Sequence, residues 1–210
     1  MALTRQIIVA AAVRLLKQDG LDALSLRKLA AALHVSAPTL YWHVASKREL
    51  LDLVADELVR SQEEAGPDAP APGQPWWEWL YARAEKIFDA LVGTRDAPRV
   101  VAGNRPSVDS LPRLERALAT LVEAGLPAAD AQQVLFVLGA YAIGSATEWQ
   151  GEAARAGEPV ESDARLAATI PDYPHIADAM TGLLAQPPRA TFEFGLRLLI
   201  DAIRARYPPP

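Results

Sequence analysis

The sequence predicts an all-α protein with a small N-terminal helical head and a larger helical body. Apolar residues recur every three or four positions through several long stretches, which is the spacing of one helix face. Gly and Pro residues separate these stretches, most densely in AGPDAPAPGQP at residues 65–75, which is predicted to be a loop. No stretch alternates apolar and polar residues as a half-buried strand does, so no sheet is expected.

The first three helices are predicted to form the head. Residues 4–19 make one helix with an apolar stripe through Ile8 and Leu15, and Gly20 suits the positive φ at which many helices end. Two short helical stretches follow at about 25–33 and 36–43, separated by a turn of a few residues. This is a helix-turn-helix layout, in which the second helix enters the major groove of DNA.

The second short stretch carries aromatic residues that one core-facing stripe cannot accommodate. Leu40 and Val44 are spaced to face the core, so Tyr41, Trp42 and His43 cannot all be buried with them. Two interpretations stay open. The pattern favours contact with DNA, and the alternative is an amphipathic segment with a partly buried aromatic pair.

The linking helix is predicted from about residue 46 to 64, because Ser46 and Glu49 have the spacing of a capping box. The body helices are then expected at 75–92 with Pro75 in the first position, at 110–123 after a short irregular helix in 95–106, and at 127–156. Residues 157–188 contain five prolines and are predicted to be broken around one short helix at 173–185. A last helix is expected at 189–207.

The charge of the chain is divided unevenly. The whole chain has a formal net charge of −5, yet residues 1–48 contain seven Lys or Arg and two Asp, so the head is +5 and the remainder is −10. A basic head on an acidic body is typical of a DNA-binding protein whose second domain binds something else. We therefore predict a DNA-binding domain at 1–48 and a ligand-binding and dimerisation domain at 49–210.

Composition excludes several other classes of protein. No stretch approaches 18 uninterrupted apolar residues and no N-terminal signal pattern is present, so we expect a cytoplasmic protein without a membrane partner. Because the chain has no Cys, disulfides and thiolate zinc sites are excluded. The three histidines, His34, His43 and His175, are scattered and no nucleophile–base pair stands out, so an enzyme is not expected.

The two long helices predict self-association. Residues 127–156 and 189–207 carry more apolar surface than one subunit can cover, and a two-fold pairing of both helices would form a four-helix bundle. DNA geometry favours this dimer, because two recognition helices about 34 Å apart can read a palindromic site. The alternative is that both helices lie inside a monomeric core.

The helix-turn-helix also carries a longer motif. Ser25, Arg27 and the pair Leu29-Ala30 precede the run Thr39-Leu40-Tyr41-Trp42-His43-Val44 and then Lys47. This pattern resembles the TetR family, specifically its tetracycline-repressor branch. His34 stands where the turn of the family commonly has Gly, and His tolerates a positive φ better than most residues. The resemblance implies the DNA-binding residues Ser25, Arg27, Ala37, Pro38, Thr39, Tyr41, Trp42, His43 and Lys47.

The roles within that set follow from the same resemblance. Arg27 would read a base and Lys47 would hold a phosphate, although a solvated helix start is the alternative for Lys47. Ala37 replaces a base-reading Gln of the branch, so the operator is expected to differ at that position.

The body resembles the same branch more loosely. Arg95-Asp96, the run Gly103-Asn104-Arg105-Pro106, and Phe192-x-Phe194-Gly195-Leu196 match patterns of the branch. The implied ligand-binding positions are Glu63, Arg83, Ile87, Val101, Asn104, Arg105, Ala117, Glu148 and Trp149. The alternative is that Arg105 and Glu148 form a structural ion pair while the aromatic residues belong to the core.

Several of these positions depart from the branch. Its metal-binding His is here Val101, a second drug-contacting His is Glu63, and a Gln is Ala117. Mg²⁺ prefers oxygen ligands in octahedral geometry and Val101 offers none. We therefore expect no metal and no cofactor, and an effector other than magnesium–tetracycline.

The leading hypothesis is a homodimeric, ligand-responsive transcriptional repressor that binds a palindromic DNA operator and is released by a small molecule. The alternative keeps DNA binding but makes the body a protein-interaction or constitutive dimerisation module without a ligand.

Overall fold

The computed structural model describes residues 3–63, 69–155 and 161–208, and within them it confirms the all-α class. The helices follow one another along the chain. In order they are α1 (Arg5–Asp19), α2 (Leu26–Ala32), α3 (Ala37–Tyr41), α4 (Lys47–Glu63), α5 (Trp76–Val92), α6 (Ala97–Val101), α7 (Leu111–Glu123), α8 (Ala128–Arg155), α9 (Glu161–Thr169), α10 (Pro174–Leu184) and α11 (Ala190–Arg206).

Side-chain caps begin the three helices of the head. The hydroxyl oxygens of Thr4, Ser25 and Ser36 each accept a hydrogen bond from the backbone N–H three residues later, at 3.2–3.3 Å. Each cap satisfies one of the donors that a helix start leaves unpaired. These caps explain why such short helices as α2 and α3 begin where the sequence predicts.

The turn between α2 and α3 keeps its geometry without glycine. His34 has φ +55°, and Val35 N–H donates to the Ala30 carbonyl at 3.0 Å. The structure therefore confirms that His can occupy this position. The buried side chains Leu29 and Leu40 hold the two short helices on the core of the head.

Helix α4 joins the head to the body, since it packs against α1 on one side and against α5 and α6 on the other. Its start resembles the predicted capping box: the Ser46 hydroxyl accepts from Glu49 N–H at 3.1 Å. The Glu49 carboxylate reaches back to Ala45 N–H at 2.7 Å, one residue before the position that a capping box uses. Pro75 is the N-cap of α5, whereas the sequence predicted it at the first helical position.

The core of the body lies where α5, α8 and α11 meet. Phe88 of α5 stacks on Phe192 of α11 with ring centroids 3.8 Å apart, and Trp149 of α8 meets Phe88 edge to face at 5.9 Å. Tyr141 also stacks with Phe192, with ring centroids 5.6 Å apart, and its hydroxyl donates to the Phe192 carbonyl at 3.0 Å. Gly195 is required here, because a Cβ at this position would lie 2.1 Å from the Tyr141 hydroxyl.

The segment after α8 agrees with the prediction in part. The short helix expected at residues 173–185 is present as α10, but residues 161–169 form a further helix, α9, that the sequence did not predict. Proline is tolerated at the first position of a helix because no backbone N–H is needed there, so Pro174 stands at the start of α10 and does not break it. We call α9 and α10 together the arm. No residue of α10 is buried.

Helix α8 is the longest element, with 28 residues. None of the described helices is by itself long and apolar enough to cross a membrane. Among the described residues, one pair of consecutive segments, Val108–Glu123 and Ala128–Arg155, is long and apolar enough when the two are taken together, but they are bent by 118° to each other.

Candidate nucleic-acid interface and body cavity

The surface formed by α2, the turn and α3 exposes large aromatic side chains. Trp42 is 89% exposed and Tyr41 is 52% exposed, whereas Leu40 and Val44 are buried in the head. His43 is half-buried. The prediction that the aromatic residues cannot share the core with Leu40 and Val44 is therefore confirmed, and two flat rings with polar edges remain outside.

Basic residues around this surface differ in their availability. Lys28 pairs with Asp19 at 2.7 Å. Arg48 turns to the body, where it donates to the Gly103 carbonyl at 2.6 Å. Arg27 and Lys47 are exposed, and neither makes an ion pair with any described residue. These two cations are therefore placed to meet an anionic or acceptor-rich partner.

The other predicted DNA-binding residues lie on the same surface. Ala37 and Pro38 are exposed in the first turn of α3, and Ser25 is half-buried as the cap of α2. Thr39 is exposed, with its hydroxyl 2.7 Å from that of Ser36. The nine residues thus lie on α2 or at its N-cap, on α3, in the turn after α3, or at the first position of α4.

The body contains a cavity of about 200 Å³ between α5, α7 and α8, which we call the body cavity. Its walls are mostly apolar, and Arg83 and Gln132 supply polar groups. The residues around it are Leu80, Arg83, Ala84, Ile87, Pro106, Leu114, Gln132, Leu135, Phe136, Leu138 and Gly139. Of the predicted ligand-binding residues, Arg83 and Ile87 are among them.

The remaining predicted ligand-binding residues do not line the body cavity. Ala117 is fully buried in the core, and both Val101 and Trp149 are half-buried against it. Arg105 and Glu148 are exposed and do not pair with each other in the part of the chain that is described, so the alternative of a structural ion pair within one subunit is wrong. The side chain of Glu63 lies outside the described residues.

Asn104 also lies outside the lining of the body cavity, but it holds a buried polar atom without a partner. Its side-chain oxygen Oδ1 is buried and accepts no hydrogen bond, although the residue as a whole is half-buried. A buried acceptor without a donor is costly, so this atom marks a place where a ligand donor would be favourable.

Sequence reasoning missed most of the lining of the cavity, although a signal was present. Leu80, Arg83, Ala84 and Ile87 have the spacing i, i+3, i+4, i+7, and so do Gln132, Leu135, Phe136 and Gly139. Each set forms one face of one helix. The sequence does not show that these two faces point at each other in the folded protein.

The residues do not fit the Mg²⁺ of the tetracycline-repressor branch. No group of three or more His, Cys, Asp or Glu side chains in residues 3–63, 69–155 and 161–208 could hold a metal ion. Val101 offers no donor atom in the place of a histidine ligand, and no acidic residue lines the described walls of the body cavity.

The head contacts the body through Asp96, at the start of α6. Leu21 N–H in the head donates to Asp96 Oδ2 at 2.9 Å. Arg99 of α6 bridges the two parts, with one nitrogen 2.9 Å from Asp22 of the head and another 3.0 Å from Asp96. We call this cluster the head–body contact. It joins the start of α6 to the loop between α1 and α2.

These contacts shift the pKa of both carboxyl groups. The hydrogen bond and charge of Arg99 lower the pKa of Asp22. For Asp96, partial burial acts to raise the pKa, but the Leu21 N–H and Arg99 outweigh it and the pKa is lowered. Both carboxylates are therefore better stabilised in the folded protein than in the unfolded chain.

Acid is therefore expected to weaken the head–body contact. A lowered folded-state pKa contributes stability that is present above the ordinary pKa of 3.8 and is lost as pH falls through the lower folded value. Asp96→Asn keeps an acceptor for Leu21 but cannot ionise. We expect wild type to lose stability more steeply than Asp96→Asn below pH 3.8, in urea unfolding followed by circular dichroism; equal slopes would contradict the assignment.

Gly20 is required by this contact. It has φ +79°, and a Cβ at this position would lie 2.8 Å from Asp96 Oδ2. Gly20→Ala is expected to lower the free energy of unfolding by more than about 1 kcal/mol, from backbone strain and the clash together. Gly125→Ala is the matched control, because Gly125 has φ +99° and open space around it. Equal losses in the two variants would show that the close approach to Asp96 costs nothing.

Comparison with known proteins identifies both parts of the chain. The family model described as "Bacterial regulatory proteins, tetR family" matches residues 8–54, and the one described as "Tetracyclin repressor-like, C-terminal domain" matches residues 69–207. The head and most of the body thus match two parts of one architecture.

Individual relatives agree along nearly the whole length. The chain is 33% identical to the class A tetracycline repressor of transposon 1721 from Escherichia coli over 202 residues, which cover 95% of this chain and 89% of that protein. It is also similar to Streptomyces coelicolor ActR solved in complex with actinorhodin, with TM-score 0.81, 26% identity, and coverage of 99% and 100%.

A third similar structure is class A TetR in complex with 5a,6-anhydrotetracycline and magnesium, with TM-score 0.71, 28% identity, and coverage of 97% of this chain and 99% of that one. The resemblance deduced from the helix-turn-helix motif is therefore confirmed across head and body. The chain belongs to the TetR family of bacterial regulatory proteins.

Proposed function

We propose that this protein is a homodimeric transcriptional repressor that binds a palindromic operator and is released from it by a small molecule. Residues 1–48 act as the DNA-binding head and residues 49–210 as the ligand-binding and dimerisation body, with α4 between them. The observation that carries the proposal is the exposed pair Tyr41 and Trp42 on the helix-turn-helix, together with Arg27, which is exposed on α2 and makes no ion pair with any described residue.

The head reads DNA by two kinds of contact. Arg27, with Tyr41 and Trp42, meets base edges in the major groove, where an Arg can make a bidentate contact to guanine. Lys47 at the first position of α4 meets a phosphate, together with the N–H groups of that helix start. The acidic body lies away from the DNA, which is consistent with the division of charge in the sequence.

Dimerisation through α8 and α11 is supported by their exposed apolar side chains. Phe136 is 73% exposed on α8, and Phe194 and Leu198 of α11 are 66% and 56% exposed. Exposed patches of this kind mark protein interfaces. A two-fold pairing of these faces supplies the second head that a palindromic operator needs.

The arm supports the same pairing. Leu166 of α9 and Ile176, Leu183 and Leu184 of α10 are exposed, and Leu184 reaches 81% exposure. Such a row of apolar side chains is unfavourable in water. In the dimer the arm lies on the partner subunit, which covers this row.

The effector of the proposed repressor is a small, mostly apolar molecule bound in the body cavity without a metal ion. Arg83 and Gln132 are the polar groups that orient it, and apolar walls supply most of the contact area. The similar structure of ActR holds actinorhodin, which shows what a related body can accept. Ligand binding lowers operator affinity only as far as the ligand prefers the released conformation.

One observation favours the alternative of a constitutive dimerisation body. The cavity of about 200 Å³ is smaller than the range of about 300–1,000 Å³ that is usual for ligand sites. A variant that fills the cavity separates the two functions. Gly139 lines the cavity, and a Cβ added there would meet no other atom within 4 Å. Gly151 on the same helix has the same open space but lies outside the cavity.

The test begins with purified protein and DNA flanking its own gene, followed by selection from fragmented genomic DNA. Sequence-selective binding that weakens steeply with salt is the expected result, and its absence from both pools overturns the proposal. Small molecules are then screened for release of the complex. Gly139→Leu is expected to bind the operator but resist release, whereas Gly151→Leu is released like wild type. If no compound releases wild type, the constitutive alternative holds.

A further inference from the structure

We infer that Gln150 is a positioning residue that ties the long helix α8 to the head–body contact. A change in the position of α8 is thereby transmitted to the head through the backbone of Asp96. This inference rests on the proposed function, because it concerns how the body governs DNA binding.

The amide of Gln150 makes three hydrogen bonds, all to the backbone of residues 91–96. Its Nε2 donates to the carbonyls of Leu91 and Thr94, both at 2.8 Å, and its Oε1 accepts from Asp96 N–H at 3.0 Å. Leu91 lies in the last turn of α5, where carbonyls lack partners within the helix. One side chain of α8 thereby holds the whole segment that leads from α5 into α6.

Asp96 contacts both the long helix α8 and the head. Its N–H is held by Gln150 of α8, while its carboxylate accepts from Leu21 of the head. Its φ of +58° is uncommon for a residue other than glycine and is retained only where surrounding contacts demand it. A displacement of α8 by a fraction of a hydrogen-bond length therefore changes the Asp96 peptide and the orientation of the carboxylate that the head contacts.

Neutral hydrogen bonding makes this link different from the ionic part of the head–body contact. Arg99 can follow Asp22 and Asp96 over a range of positions, because its guanidinium meets both carboxylates from an exposed site. The Gln150 amide has three partners in fixed directions and is half-buried. Gln150 thus fixes the position of the Asp96 backbone, and Arg99 adds electrostatic attraction between the head and the body.

The variant that tests the link is Gln150→Met, which keeps length and helix propensity but removes every donor and acceptor. Gln150→Glu is the second variant, since it retains one acceptor but cannot donate to Leu91 and Thr94. Gln133→Met is the matched control, because Gln133 is exposed on the same helix and outside the body cavity. Full-length proteins are compared at a temperature at which urea titration shows each to be folded.

Two readouts distinguish positioning from a merely structural role. Hydrogen exchange of the Leu21 amide, in the head, is expected to accelerate at least about fivefold in Gln150→Met and Gln150→Glu but not in Gln133→Met. Operator affinity, measured on a DNA fragment selected by wild type, is expected to fall at least about fivefold, the lower end of typical coupling between sites.

The inference is overturned if Leu21 exchange and operator affinity in both Gln150 variants stay within twofold of the Gln133→Met control. It is also overturned if only global stability falls, with every amide accelerated alike. Leu21 exchange is measured without DNA, so the link is tested even if wild type binds no operator, an outcome that would overturn the proposed function alone.

Discussion

Replacing Phe88 by alanine is expected to lower the free energy of unfolding by about 3–5 kcal/mol, the usual cost of removing a large aromatic side chain from a core. Phe88 is 2% exposed and lies where α5, α8 and α11 meet. It stacks on Phe192 and meets the edge of Trp149, so its loss opens a cavity and removes two ring contacts. Urea unfolding followed by circular dichroism measures the change.

Trp42→Ala is the control for this measurement. Trp42 is a larger aromatic residue but is 89% exposed, so its removal should change the free energy of unfolding by no more than about 0.5 kcal/mol in the absence of DNA. A loss below about 1 kcal/mol for Phe88→Ala would mean that the three body helices do not share the core described above.

The helices that pack on their own chain were the most predictable part of the fold. In α1, the apolar stripe and Gly20 indicated a helix at residues 4–19, and the structure has it at Arg5–Asp19 with Thr4 as its N-cap. The helix-turn-helix layout likewise indicated α2 and α3. Periodicity works for these helices because burial against the same chain is what creates an apolar stripe.

Helix α9 of the arm could not be predicted in this way, whereas the prediction of α10 is confirmed. Helix α9 buries no described residue, and the prolines on either side of it favoured a broken segment. In the proposed dimer the apolar side chains of α9 are covered by the other subunit, so no partner on its own chain marks the face that they form. The sequence therefore shows the residues of such an element without showing what they pack against.

Two features of the site depend on contacts between distant residues. The body cavity exists because faces of α5 and α8 oppose each other. A residue-by-residue resemblance therefore found Arg83 and Ile87 in its lining, whereas Ala117 and Val101 lie against the core and outside that lining. The link through Gln150 is likewise invisible in sequence, since 54 positions separate it from Asp96.

Arg27→Ala is expected to weaken operator binding by about 1–3 kcal/mol, roughly 5- to 150-fold, and to relax the preference at one base pair of each half-site. The guanidinium is exposed on α2 and has no ion pair with a described residue, so its removal changes the surface that meets DNA and leaves the fold intact. Titration of fluorescent operator DNA, with each base pair varied in turn, measures both effects.

Two further variants separate base reading from charge. Lys47→Ala should weaken binding uniformly across sequences and reduce the salt slope by about 1, as loss of one phosphate contact does. Arg14→Ala removes the same charge from the head, but Arg14 faces a cleft shared with Ala90 and Thr94 of the body, so operator affinity should change little. If Arg27→Ala behaves like Lys47→Ala, Arg27 holds a phosphate and the sequence preference comes from α3. If Arg27→Ala instead changes operator affinity as little as Arg14→Ala does, Arg27 contacts neither a base nor a phosphate. The loss of a residue that contacts the operator would lower the affinity.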